Sequence, residues 1–128
     1  MIKLVVLLKR RTGMSLEEFA DYWINVHGPL AAQVPGLRGY SISIAHAVPF
    51  SDDVSPWDGL VEMRFDDGDA MEAGLSSPAG IIATEDVENF AERRGLMLAD
   101  ETVIVPNDGD ETSRHFGFAD WQIPVLRH

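Results

Sequence analysis

The stretch from Ser15 to Val34 constrains the fold of this chain more than any other, because it combines a helix start, an apolar stripe and a break within twenty residues. Ser15 followed three residues later by Glu18 has the spacing of a capping box, in which the hydroxyl accepts from the N3 amide and the carboxylate reaches back to the cap. Glu17 and Glu18 also suit the positive end of the helix dipole. Advancing by about 100° per residue, Leu16, Phe19, Trp23, His27, Leu30 and Val34 fall in one sector, with Glu17, Glu18, Asp21 and Asn25 off it. His27 is therefore expected to face the core. Gly28-Pro29 follows at once, and since proline lacks an amide hydrogen and crowds the carbonyl of Asn25, a kink or π-like turn is expected there.

The segments around this helix read as strands. Ile2–Leu8 is an apolar run suited to a strand buried on both faces. Leu37–Val48 alternates, with Tyr40, Ile42, Ile44, His46 and Val48 on a bulky face and Ser41, Ser43, Ala45 and Ala47 on a small one. The Pro35-Gly36 turn separates it from the helix. Trp57–Phe65 forms a third strand, with Glu62 and Arg64 opposite Val61, Met63 and Phe65. Helical segments are expected over 70–75, from Ser77-Pro78 onward and over 85–93, and a fourth strand over 96–105.

The order β-α-β-β-α-β predicts an α+β, ferredoxin-like fold, a four-stranded antiparallel sheet with helices on one face. The bare face then needs a cover, and a homodimer through the sheet supplies it, with Val5, Leu7, Val61 and Met63, or the residues alternating with them, as candidate contacts. Residues 1–105 are taken as the domain. Residues 106–128, with Phe116, Phe118 and Trp121, are taken as a C-terminal extension packing on the body or on a partner subunit.

Composition removes several function classes. A net charge of −11 opposes binding to nucleic acid or an anionic membrane surface, and Lys9-Arg10-Arg11 is the only dense basic cluster, best explained as a solvated strand end. Without cysteine there is no disulfide, thiolate metal site or cysteine nucleophile. No apolar run approaches the length of a membrane span, and a cytoplasmic location is expected. His27, His46, His115 and His128 lack the spacing of a metal site. The P-loop, dinucleotide, nucleophile-elbow and zinc-helix motifs are all missing.

Lys9, Arg10, Gly13, Ser15, Glu18, Phe19, Tyr22, Trp23, His27, Pro29, Leu30, Pro35, Gly36, Leu37 and Tyr40 together resemble the signature of the EthD-like family of the dimeric α+β barrel superfamily. The similarity runs, more loosely, over roughly residues 1 to 105. It implies a pocket between helices and sheet, lined by His27 and Tyr40, and a functionally diverse set of relatives that isomerise, cyclise, dehydrate or oxidise small molecules, with some haem binders among more distant cousins.

The residues agree with that geometry. A neutral imidazole can take a proton from a carbon beside a carbonyl, and a phenol can donate to the resulting enolate. His27 and Tyr40 are thus the candidate catalytic pair, with Tyr22, Trp23, Ile42 and His46 as candidate ligand contacts. No cofactor and no metal are expected. Three readings follow: an enzyme without cofactor acting on a small apolar or aromatic carbonyl or phenolic ligand, a dimeric carrier of such a ligand, or a haem protein, which the acidic composition disfavours. The competing bland reading is a core histidine whose nitrogens are satisfied by backbone or water.

Overall fold

A computed structural model describes residues 1–107. Strand β1 (Ile2–Arg10) leads through a Thr12-Gly13 turn, where Gly13 takes φ +89°, into helix α1 (Leu16–Tyr22). A π-helical turn (Trp23–His27) and helix α2 (Gly28–Ala31) follow. Strands β2 (Gly39–Ile44) and β3 (Gly59–Phe65), helices α3 (Gly68–Ser76) and α4 (Pro78–Asp86), a 3₁₀ turn (Val87–Asn89) and strand β4 (Ala91–Asp100) complete the order. The sheet is antiparallel, in the order β2-β3-β1-β4, and the fold is the ferredoxin-like α+β arrangement.

The capping box forms as expected. Ser15 Oγ accepts from the Glu18 amide at 3.0 Å, and Glu18 accepts from the Ser15 amide at 2.9 Å. The helix break also forms, but as one wide turn just before Gly28, whose amide reaches back five residues to the Trp23 carbonyl. That extra residue shifts the stripe. Phe19, Trp23 and His27 are buried, and the buried line continues at Ala31 and Val34, while Leu30 is only half-buried.

Register decides which side chains share a face. Tyr40 pairs with Met63, Met63 with Leu4, and Leu4 with Leu98; Ile42, Val61, Val6 and Leu96 line up in the same way. These residues point toward the helices, where Leu8, Phe19, Trp23, Phe65 and Phe90 form the centre of the core. The outer face carries Lys3, Val5, Leu7, Ser41, Ser43, Leu60, Glu62, Arg64 and Met97.

Several expectations need correction. Val61 and Met63 belong to the helix-covered face and are buried there, so they do not join Val5 and Leu7 as outer-face contacts. Strand β1 is buried less than an apolar run of this kind suggests: Val5 on the outer face and Leu8 on the helix-covered face are buried, while Leu4 and Val6, which line the cavity under the helices, are half-buried. Strand β2 stops at Ile44 instead of reaching Val48. The Ala45 amide makes one more bond, to the Asp58 carbonyl, and the chain then leaves the sheet, so His46 is exposed and is not on the Tyr40 face of a strand. The helical run expected over 85–93 ends early, and β4 occupies 91–100 instead of 96–105.

Lys9 and Arg10 do mark a strand end, held by Asp58, whose carboxylate lies 3.5 Å from Lys9 Nζ and accepts from the Arg10 amide at 2.9 Å. Met1–Ala45 with Pro56–Glu101 forms one compact unit, the α+β domain; among the described residues, His46–Ser55 and 102–107 group separately. The expectations for His115, Phe116, Phe118, Trp121 and His128 lie outside the described residues.

Candidate active site

The wide turn sets His27 on the inner side of the helix, 6 % exposed, and its carboxylate partner comes from the far end of the domain. Helix α4 begins with Ser77 Oγ accepting from the Gly80 amide and proline in its first turn, and it ends at Asp86. Asp86 Oδ2 lies 2.9 Å from His27 Nδ1. Its other oxygen accepts from Tyr22 OH at 2.8 Å and from Asn89 Nδ2 at 2.9 Å. Asp86 resists ionisation through burial, but the hydrogen bonds from Asn89, His27 and Tyr22 together outweigh that and hold its carboxyl below the usual range. Since an ionised carboxylate only accepts, the neutral His27 ring carries its proton on Nδ1 and keeps the lone pair on Nε2. Nε2 has no hydrogen-bond partner among the described residues.

Phe90, directly after Asn89, packs on the other side of the ring. Its centroid is 5.0 Å from that of His27, 5.2 Å from Tyr22 and 5.8 Å from Trp23. One short segment, 86–90, thus supplies both the polar clamp and the aromatic wall.

His27 opens on a cavity of about 240 Å³ between the helices and the sheet. Its walls are mainly apolar, from Leu4, Val6, Leu8, Val61, Met63, Ala83 and Leu96, with Trp23, Tyr40 and Arg94 also lining it. It is smaller than the roughly 300 Å³ at which sites for drug-sized ligands begin, and so fits a molecule of one or two rings. Two buried polar atoms in its walls, Trp23 Nε1 and Tyr40 OH, have no hydrogen-bond partner among the described residues. Burial raises the Tyr40 hydroxyl to about 12, and the nearby Trp23 N–H offsets part of the rise without reaching hydrogen-bond geometry. Tyr40 therefore stays protonated at neutral pH.

Gly59 makes room for the indole. A Cβ there would meet Trp23 at 2.7 Å and the Ser43 carbonyl at 2.6 Å, so only glycine lets the Trp23 ring and the neighbouring strand come this close to β3.

Of the six candidate site residues, His27, Trp23 and Tyr40 share this cavity. Tyr22 does not line it but reaches the site through Asp86, where burial and the carboxylate both raise its hydroxyl above the ordinary range. Ile42 sits on the helix-facing side and lines, with Tyr40, a shallow open groove beside Gly28 and Pro29. His46 lies outside the domain unit. Asp86 and Asn89 were not singled out in the sequence, although an Asp closing a helix and an Asn three residues on, just before a buried aromatic, were available as a signal. Among the described residues no group of three or more His, Cys, Asp or Glu side chains is arranged to hold a metal ion. Nor is any described helix long and apolar enough to cross a membrane.

Residues 11–94, well over half of the chain, match the EthD domain family. The chain belongs to the EthD family. An EthD family protein from Bacillus halodurans is 25% identical, with a TM-score of 0.69 over 80% of this chain and 99% of that one. An EthD-like protein from Ralstonia eutropha is 17% identical, with a TM-score of 0.65 over 81% of this chain and 94% of that one. A protein of unknown function from Bacteroides fragilis, described as dimeric and ferredoxin-like, is 18% identical, with a TM-score of 0.60 over 78% and 95%. No curated protein matches the sequence. These likenesses fix family and fold and leave the activity to be argued from the site.

Proposed function

We propose that this EthD-family protein is a homodimeric enzyme that works without a cofactor on a small apolar carbonyl or phenolic molecule, as an isomerase, lyase, cyclase or monooxygenase. The observation that carries this reading is the His27–Asp86 pair at the wall of an apolar cavity. His27 Nε2 acts as general base on an acidic C–H or O–H of the ligand. Asp86 orients the ring and stabilises the imidazolium that forms, and the Tyr40 hydroxyl donates to the oxygen on which negative charge develops. Tyr22 and Asn89 keep Asp86 from turning away. The homodimer is supported by the dimeric description of structural neighbours from Bacteroides fragilis and Thermobifida fusca and by the helix-free outer sheet face.

Exchange of α-hydrogens tests the base directly and needs no knowledge of the natural substrate. The protein is incubated with 1-indanone in D₂O and loss of the signal of the C2 hydrogens is followed by proton NMR. His27→Ala is expected to slow exchange by roughly 10²–10⁴-fold while leaving indanone affinity within a few-fold of wild type. Equal exchange by wild type and variant would remove His27 from the chemistry. Tight binding with no exchange above solvent would favour the carrier reading, in which the cavity holds its ligand without transforming it.

A further inference from the structure

Trp23 is wholly buried, yet among the described residues its indole N–H has no acceptor in hydrogen-bond geometry, and the Tyr40 hydroxyl beside it is equally unpartnered. Leaving a buried donor unpaired is costly, so two of them in the walls of one cavity call for a partner that the described residues do not supply. Apart from Thr84, Arg94 and the His27 ring, which also line the cavity, the side chains around them are apolar: Val61 and Met63 from β3, Leu4 and Val6 from β1, Ala31 and Val34 from the helical segment. The neutral form of the His27 ring on the same cavity carries a lone pair on Nε2, because its Nδ1–H donates to Asp86. The cavity therefore offers two hydrogens from one neighbourhood and one acceptor from another.

We propose that Trp23 Nε1 and Tyr40 OH form a two-donor cradle for a single carbonyl oxygen, so that the cavity selects ketones or lactones of one or two rings over phenols and hydrocarbons. A carbonyl oxygen has two lone pairs in one plane and no hydrogen of its own, which matches two converging donors. A phenol oxygen is the poorer match, because it must also place its own hydrogen between two groups that donate. Trp23 becomes a specificity residue, acting through its N–H and not only through its bulk. The proposal deepens the reading of this cavity as a ligand site, but it concerns recognition and does not require turnover.

The test uses three probes of one shape, 1-indanone, 4-indanol and indane, titrated into the full-length protein with ¹⁵N-labelled tryptophan. The Trp23 indole resonance is assigned by its loss in Trp23→Phe. Indanone is expected to move that N–H resonance downfield and to bind about tenfold more tightly than either other probe. Tyr40→Phe is expected to lower indanone affinity about tenfold and to leave indane unchanged. Equal affinity for indanone and indane, tighter binding of the phenol, an unmoved indole resonance on saturation with indanone, or no binding of any probe at millimolar concentration would each overturn the proposal. Carbonyl selectivity without His27-dependent exchange would overturn the catalytic reading alone.

Discussion

Asp86 is the residue on which the site turns, since three side chains from three elements donate to it. Its folded-state carboxyl is held below the ordinary range, so its ionised form favours the native state. The sign follows: this contribution is fully present above the carboxyl's unfolded value, near pH 4, and is lost as the pH falls through the lower folded value. Asp86→Asn is therefore expected to be less stable than wild type at pH 6, with the gap closing below about pH 4. Urea denaturation midpoints for both proteins between pH 2.5 and 7 measure this, and a gap independent of pH would separate the stability of Asp86 from its charge. Tyr22→Phe removes one donor to the same carboxylate and is expected to cost about 1–2 kcal/mol at pH 7. The same denaturation series reads it, and an unchanged midpoint would mean that solvent replaces Tyr22 freely.

At the scale of elements, the wide turn Trp23–His27 and the close contact at Gly59 work as a pair: one aims the indole and imidazole inward, the other lets the sheet accept the indole. Gly59→Ala is expected to lower stability by about 1–3 kcal/mol, because the new methyl meets Trp23 and the Ser43 carbonyl and neither is free to retreat. Thermal unfolding measures the loss, and the displaced indole should also shift the Trp23 N–H resonance. An unchanged midpoint would show that β2 and β3 spread easily here. The capping box, the break at Gly28 and the alternation of Tyr40, Ile42 and Ile44 were legible in the sequence, because each depends on neighbours within a turn or a strand. Asp86 was not, since its partner lies 59 residues away and a single sequence carries no sign of that pairing. Which face of β3 turns outward was left open in the sequence for the same reason. Alternation separates Val61 from Glu62, but only the register with β1 says which of them meets the helices.

At the scale of the whole molecule, the outer sheet face combines exposed Ser41 and Ser43 with a charged group that is already neutralised within the chain. Lys3 Nζ lies 2.9 Å from Glu62 and 3.3 Å from Glu101, and Arg64 makes two 2.9 Å bonds to Glu101. The Arg64 guanidinium, followed by Lys3, holds the Glu101 carboxyl down at about 2, so the group keeps two positive and two negative charges across the working pH range. A self-neutral cluster is one that a second sheet can approach, whereas an unpaired charge would oppose burial. Beside it lies the edge strand β4, on which Met97 on the outer face and Leu96 and Leu98 on the helix-facing side are all more than half exposed, and an uncovered edge of that kind invites association. Net charge works against any self-association, so the contact must be specific to outweigh repulsion between two chains of −11. Ser43→Glu with Leu60→Glu adds two carboxylates to this face, opposite each other in the β2–β3 register and away from the cavity. In light scattering at micromolar concentration, wild type is expected at twice the chain mass and the double variant at the chain mass, with circular dichroism unchanged. A variant that stays dimeric would move the interface to another surface, and a wild type at the chain mass would leave β4 as an exposed edge without a partner of its own kind.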